Sequence, residues 1–352
     1  MSNHLEKNRR FCILRFIRIF TLFPFSIVFG SIAALRRIAF QKRWFRSETY
    51  NIPTVCVGNL RVGGTGKTPH VAYIAKLLSS NHNIAILSRG YGRKTKGYIN
   101  AHDIQHLNSK ILGDEPMLFA EKFPNAEVAV CESRKTGIDN LIAHNPDLEV
   151  IILDDAYQHL SVKYTLNIIL TEYHNPFFED FPMPSGNLRE WRKASQHADI
   201  IIVTKSPENV TAAEKEHFIR KLKLQPHQEL FFTTLKYKLQ IKNQKSTILL
   251  ITGIANPAPL VQYLETQYST IHKLHFSDHH SFTNKNIEKI IRLKEKLGGE
   301  DCTVLTTEKD AMRLQAFENM PEFETVPIEI EFLEKEDVFK EKILSLLHHE
   351  DA

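Results

Sequence analysis

The chain reads as an α/β protein with a P-loop NTPase-like parallel sheet core, a second, smaller α/β lobe, and a membrane-associated helix at the N-terminus. Three observations predict this. Residues 54–70 read TVCVGNLRVGGTGKTPH, a β-branched apolar run, a glycine-rich turn and a Lys-Thr pair that opens a helical pattern. Short apolar runs then alternate with helical periodicity down the chain, as expected of parallel strands covered on both faces. Ahead of them lies an apolar stretch from Phe11 to Phe45 that is studded with arginine.

In the glycine-rich turn, Gly58, Gly63, Gly64 and Gly66 allow successive backbone N–H groups to face one concavity, and the following helix N-terminus adds positive potential. Lys67 supplies a point charge and Thr68 a hydroxyl suited to Mg2+. Arg61, Val62, Gly63, Gly64, Thr65, Gly66, Lys67 and Thr68 are therefore the expected phosphate cradle. The pattern G-x-x-x-x-G-K-[ST] is broken at its first glycine, where Arg61 stands. A glycine turn without a ligand is the plain alternative.

A length of 352 residues allows two lobes, each with its own core. Expected boundaries are 1–50 for the N-terminal segment, 51–205 for the P-loop core and 206–352 for the smaller lobe. The net charge is only +4, which lacks the polybasic signature of a nucleic-acid partner. Cys12, Cys56, Cys131 and Cys302 show no CxxC and no metal spacing, so reduced thiols in a cytoplasmic compartment are expected.

The longest uncharged run of the N-terminal segment, Ile19 to Leu35, contains Pro24 and Gly30. Arg15 and Arg18 precede it, and Arg36 and Arg37 follow. A spanning helix needs about 20 apolar residues, so the run is short for that purpose. No signal-cleavage motif is present, and flanking arginines suit a segment lying in an anionic leaflet. A single span and a helix packed on the protein are the alternatives.

Helical spacing over residues 71–78 follows the P-loop, and Ile84 to Leu87 reads as the next strand. Further strands are expected at AEVAVCESR, VIILDDAYQH, LNIILTE and DIIIVTK, with a helix over Thr136 to His144. The second block opens near Ser206 with a Lys-rich helix. ELFFTTLKYKL, ILLITGIANP, LHFSDHHSF, a helix from Thr283, CTVLTTEKD, VPIEIEF and a last helix toward His348 follow. Function belongs at the C-terminal ends of such strands, and a two-substrate site suits a cleft between lobes.

Several constellations carry chemistry. Ile151-Ile152-Leu153-Asp154-Asp155 is an apolar strand ending in paired carboxylates, which can hold a magnesium ion opposite Thr68. In Gly113-Asp114-Glu115-Pro116 a carboxylate can accept the proton of an attacking hydroxyl, although a solvated turn also fits. Asp278-His279-His280 lacks further ligands at metal spacing, so a histidine orienting a catalytic carboxylate is the better use. Arginines in SRGYGR (88–93) and PSGNLRE (184–190) suit phosphate groups.

In this order, VGNL…GGTGKTP, SRGYGR, GDEP, DD-x-x-QH at Asp154 to His159, PSGNLRE, TGIANP, FSDHHSF and TTEKDAMR at Thr306 to Arg313 resemble the tetraacyldisaccharide 4'-kinase family, the lipid A kinases of Gram-negative bacteria. The match covers nearly the whole chain. Ala156-Tyr157 stand where the family usually has Gly-Phe or Gly-Leu, and the position of Arg61 often carries a small or hydroxyl residue.

The resemblance implies transfer of the γ-phosphate of ATP to the 4'-hydroxyl of tetraacyldisaccharide 1-phosphate, giving lipid IVA, at the cytoplasmic face of the inner membrane. It implies ATP and Mg2+ as cofactors and the inner-leaflet surface as a partner, with no nucleic acid. By the same resemblance Asp114 is the base, His279 orients it, and Lys67 neutralises β and γ charge. Thr68, Asp154 or Asp155, and Glu115 serve the metal, while Arg89, Arg93, Arg189 and Glu190 contact substrate.

Two rival readings remain at this level. Val203-Thr204-Lys205-Ser206 could be a degraded guanine-reading motif of a GTPase, but Pro207 stands where its acid should be. A non-catalytic nucleotide sensor would have no use for a base and a histidine cluster.

Overall fold

In the computed structural model, which describes residues 2–239 and 247–347 with side chains from residue 18 onward, helices and strands alternate through most of the chain. The order opens with α1 (Ser2–Gln41), β1 (Thr54–Asn59), α2 (Lys67–Leu78), β2 (Ile84–Ser88), β3 (Ile99–Asn100), α3 (Ser109–Leu112) and α4 (Asp114–Lys122). β4 (Glu127–Val130), α5 (Arg134–His144), β5 (Val150–Asp154), β6 (Leu166–Glu172), β7 (Ile200–Thr204), α6 (Ala212–Leu222) and β8 (Glu229–Tyr237) come next. Then follow β9 (Thr247–Thr252), α7 (Ala258–Glu265), β10 (Thr270–His275), α8 (Asn284–Lys296) and β11 (Cys302–Thr307). The last elements are α9 (Glu308–Leu314), β12 (Phe323–Val326), β13 (Ile328–Phe332) and α10 (Glu336–Leu344).

The chain forms two compact units, and each is interrupted in sequence. One gathers Met1–Lys67, Val150–Thr234 and Phe332–Ala352; the other gathers Thr68–Glu149 and Leu235–Glu331. This division cuts across the linear segments 1–50, 51–205 and 206–352. The physical reason is parallel pairing, since each crossover must carry the chain away before its strand can return beside the first.

In the first unit β1 lies between β5 and β6, with Thr54 opposite Ile151, Val57 opposite Asp154, and Val55 opposite Leu166. β6 pairs with β7 and β7 with β8, all parallel. All six residues of β1, and all five of both β5 and β7, are buried. Continuous apolar runs rather than alternating ones are what a sheet covered on both faces requires. Parallel register brings the strand ends together, so Asn59, Asp154 and Thr204 finish at one edge, where the loops carry polar chemistry.

The second unit contains the parallel pair β2 and β4, with β3 added antiparallel through Ile99 and Val130. It also holds four parallel strands in the order β10-β9-β11-β12. β9 shows why that sheet is stable. Leu249 and Ile251 join Ile287 and Ile290 of α8 in one core, whereas Ile248 and Leu250 join Leu260 and Leu264 of α7 in another. Successive side chains point to opposite faces, and each face has its own helix.

Three local expectations differ from the structure. VPIEIEF is divided, because Pro327 has no N–H for a ladder and separates β12 from β13. LHFSDHHSF leaves its strand at His275, so Phe276 onward is loop. GDEP opens α4 instead of forming a turn, with Asp114 and Glu115 in the first helical turn, where acids interact well with the helix dipole. The end of the expected last helix at His348 lies outside the described residues, as does the side chain of Cys12.

α1 contains a segment, Arg18–Gln41, that is long and apolar enough to cross a membrane by length and composition. Its two sides differ. Phe20, Phe25, Val28, Ile32 and Leu35 are exposed, while Ser26 is fully buried and donates to Ser185 at 2.7 Å. Gly30 lets Trp191 approach, since a Cβ there would fall 2.3 Å from its indole nitrogen.

Candidate active site

The P-loop leaves β1 through Asn59, whose buried amide donates to Thr65 Oγ1 at 2.8 Å. Gly58 is required because Tyr157 packs on it; a Cβ at Gly58 would sit 2.5 Å from that of Tyr157. Gly63 and Gly66 have φ of +118° and +86°, values that favour glycine. Around Gly63 and Gly64, a built Cβ meets nothing within 4 Å, so the backbone borders open space there. Behind the loop, Thr204 Oγ1 donates to Thr65 O at 2.9 Å and Lys205 Nζ to Gly64 O at 2.5 Å.

Arg61, the residue that breaks the motif, is an anchor. Its Nη1 donates to Asn175 O at 3.1 Å and its Nε lies 3.4 Å from Asp180. Val62 N–H is bonded to Asn187 O at 2.8 Å, which ties the loop to the PSGNLRE segment. Lys67 Nζ stands 3.7 Å from Asp155 Oδ2.

Of the acid pair, Asp154 is buried at the end of β5, and Asp155 turns outward with φ of +49°. Arg189 grips both Asp155 oxygens, at 2.7 and 3.0 Å. Glu190 points elsewhere: buried, it receives both arms of Arg37 on α1 at 2.8 Å each. Arg37 also lies over the Tyr157 ring at 4.9 Å. Beside these residues opens a groove of about 250 Å³ lined by Phe29, Ile32, Ala33, Arg36, Gln158, Leu160, Arg189 and Glu190.

The second unit assembles its own group. Thr68 Oγ1 donates to Glu115 Oε1 at 3.0 Å, and Lys309 also pairs with Glu115. His279 Nδ1 meets Asp114 Oδ2 at 3.3 Å. Arg313 Nε lies 3.5 Å from the same oxygen, an ion contact longer than a hydrogen bond should be. His279 has φ of +51° and its N–H is bonded to Gly253 O at 3.1 Å, so the TGIANP and FSDHHSF segments meet at this residue. The hydrogen bond to Asp114 raises the pKa of His279 from its ordinary value, against burial and the charge of Lys309, which act to lower it.

The remaining expected residues fall as follows. Arg89 is exposed after β2. Arg93 has a side chain only 3% exposed, and its Nη2 is bonded to Glu132 and Gly97 O at 2.6 and 2.7 Å, so it braces its own loop. Gly113 has φ of +93°, and Tyr91 O would lie 2.8 Å from a Cβ there, so loop 90–93 packs against the start of α4. His280 stacks on Phe276 at 4.6 Å and bonds Asn286 at 3.1 Å. Among the described residues no three His, Cys, Asp or Glu side chains gather as a metal group.

An all-oxygen set of one hydroxyl and carboxylates suits Mg2+, which is usually bound through one or two protein carboxylates with phosphates and waters completing the shell. Thr68 with Glu115 at 3.0 Å satisfies that chemistry. Sequence reasoning gave no role to Lys309 and Arg313, and it set Arg37 among the arginines facing an anionic leaflet, whereas that side chain is buried against Glu190. The first two stood inside TTEKDAMR, and the available signal was two cations four residues apart on a helix that follows a strand.

A family model described as LpxK, tetraacyldisaccharide-1-P 4'-kinase, matches residues 18–348. The chain is 38% identical over 350 residues to the tetraacyldisaccharide 4'-kinase of Bacteroides thetaiotaomicron, with 92% of each chain covered. It is 39% identical over 336 residues to the one from Flavobacterium johnsoniae, covering 93% of this chain and 96% of the other. Among solved structures, that of the "apo" form of LpxK from Aquifex aeolicus in complex with ATP superposes with a TM-score of 0.73 at 26% identity. It covers 94% of this chain and 99% of that one.

Proposed function

This chain belongs to the tetraacyldisaccharide-1-P 4'-kinase family, and from that premise we propose how its residues divide the work of moving the γ-phosphate of ATP to the 4'-hydroxyl of the lipid disaccharide 1-phosphate. The backbone from Arg61 to Thr68 holds the nucleotide phosphates. Lys67 balances β and γ charge, and Thr68, Glu115 and one of Asp154 and Asp155 serve the metal side. Mg2+ bound there would supply charge neutralisation and alignment of the phosphate oxygens.

Asp114 accepts the proton of the 4'-hydroxyl as its oxygen attacks. His279, bonded to the same carboxylate, fixes its orientation and shares the proton it receives. The observation that carries this reading is the 3.3 Å Asp114–His279 contact on a helix whose next residue, Glu115, touches Thr68. Phosphoryl transfer asks mainly for positioning and charge stabilisation, so no covalent intermediate is needed.

Arg189 carries two duties in sequence: it holds Asp155 and lines the groove next to α1, where Arg36 and Gln158 provide polar contacts and Phe29, Ile32 and Leu160 apolar ones. Such a mixed groove suits a glucosamine headgroup whose acyl chains remain in the bilayer. Arg93 and Glu190 hold loops, while Arg89 is open to the substrate phosphate. The exposed apolar side of α1 seats the enzyme on the cytoplasmic face of the inner membrane.

The test is transfer of radiolabelled γ-phosphate to tetraacyldisaccharide 1-phosphate with Mg2+, comparing wild type with Lys67→Ala. Wild type should label the lipid and the variant should not. Wild type that leaves the lipid unlabelled ends this reading.

A further inference from the structure

TTEKDAMR covers the end of β11 and most of α9, yet the mechanism above uses none of it. The second of its two acids is structural. Asp310 is fully buried, receives Gly253 N–H at 2.9 Å and Thr307 Oγ1 at 2.7 Å, and pairs with Arg313. Arg313 in turn donates to His280 O at 3.1 Å. These bonds lock the start of α9 to the loop that carries His279. They also fix the backbone of Lys309, whose ammonium reaches Glu115 beside Thr68.

We infer that Lys309 is a second phosphate-neutralising lysine, which leaves Glu115 during turnover and donates to a non-bridging oxygen of the γ-phosphoryl group. This rests on the kinase reading. Thr68 directly follows Lys67 in the chain, so phosphates held by that pair come within reach of what touches Thr68. The Lys309 side chain is 29% exposed on a flexible stem, whereas Arg313 is 9% exposed and engaged with Asp310. A phosphoryl group carries more charge and more acceptor oxygens than a carboxylate, so it competes well for an ammonium ion. In the step itself the 4'-oxygen bonds to the γ-phosphorus as the bond to the β–γ bridging oxygen breaks. ADP leaves with that electron pair, and the hydroxyl proton goes to Asp114. Lys309 keeps its protons and lends only charge and hydrogen bonds.

A purely structural ion pair predicts otherwise, because partly exposed pairs contribute little and are readily replaced. The experiment uses the full chain as wild type, Lys309→Met and Lys309→Arg, with melting temperature as the check of folding. Lys309→Met should lower kcat by about 10²–10³-fold, as removal of one charge-stabilising donor does, with Lys309→Arg recovering part of the loss. Binding of ADP with magnesium and aluminium fluoride should weaken in parallel, while binding of ADP alone stays within about threefold. Unchanged fluoride affinity in Lys309→Met overturns the inference, whether or not kcat falls. Wild type silent toward the lipid overturns the kinase reading instead, and the fluoride measurement still decides the role of Lys309. Should Lys309→Met melt early, Lys309→Gln provides the same loss of charge.

Discussion

The side chain with the most to say is His279, because its left-handed backbone, its bond to Gly253 and its contact with Asp114 all fix one ring. Replacing Asp114 by Asn, or His279 by Ala, should cut turnover by about 10²–10⁴-fold, the usual contribution of a general base. Nucleotide affinity, measured by calorimetry, should be nearly unchanged in both. The pair also has a pH signature. A histidine whose folded pKa is raised stabilises the protein fully below its unfolded value of 6.5, and that stabilisation is lost as pH rises through the folded pKa. Urea denaturation above pH 6.5 should therefore show wild type losing more stability with pH than His279→Gln does. The difference should be modest, since the ring is 43% exposed and solvent screens it.

At the level of elements, β1 and its loop show what can be read from a linear text. The strand, the glycines and the Lys-Thr pair are contiguous, so local patterning reveals them. Continuous burial of β1, β5 and β7 likewise follows from apolar runs with no alternation. Contacts made by topology are another matter. Asp114 and His279 lie 165 residues apart, Lys309 and Glu115 194, and Arg37 and Glu190 153. No spacing rule joins such partners, because which loops meet depends on strand order. GDEP was ambiguous for a local reason: a glycine before two acids and a proline serves a turn and a helix start equally well. One glycine offers a clean test of packing. Gly58→Ala drives a methyl into Tyr157, and a lower urea midpoint corresponding to ~1–3 kcal/mol is expected.

For the molecule as a whole, the membrane is the first question. Changing Phe20, Phe25, Ile32 and Leu35 to Ser alters residues 77%, 64%, 63% and 64% exposed and leaves Ser26, Gly30 and Arg37 on the packed side intact. The variant should remain folded by circular dichroism and stop sedimenting with anionic vesicles; retained sedimentation would remove α1 as the membrane foot. A second question follows from the interrupted order of the first unit. Thr54 pairs with Ile151, so at ribosomal rates of ~5–20 residues per second β1 emerges on the order of 5–20 s before its neighbour exists. The unit closes only when Phe332 and Phe339 arrive to pack against Phe231 at 5.9 and 5.4 Å. A strand destined for full burial thus has its neighbours by residue 170, yet the unit around it stays open until the last residues are made. A message truncated at codon 331 should yield nascent chains that depend on chaperones and are cleared by proteases, even though every proposed catalytic side chain has already been made.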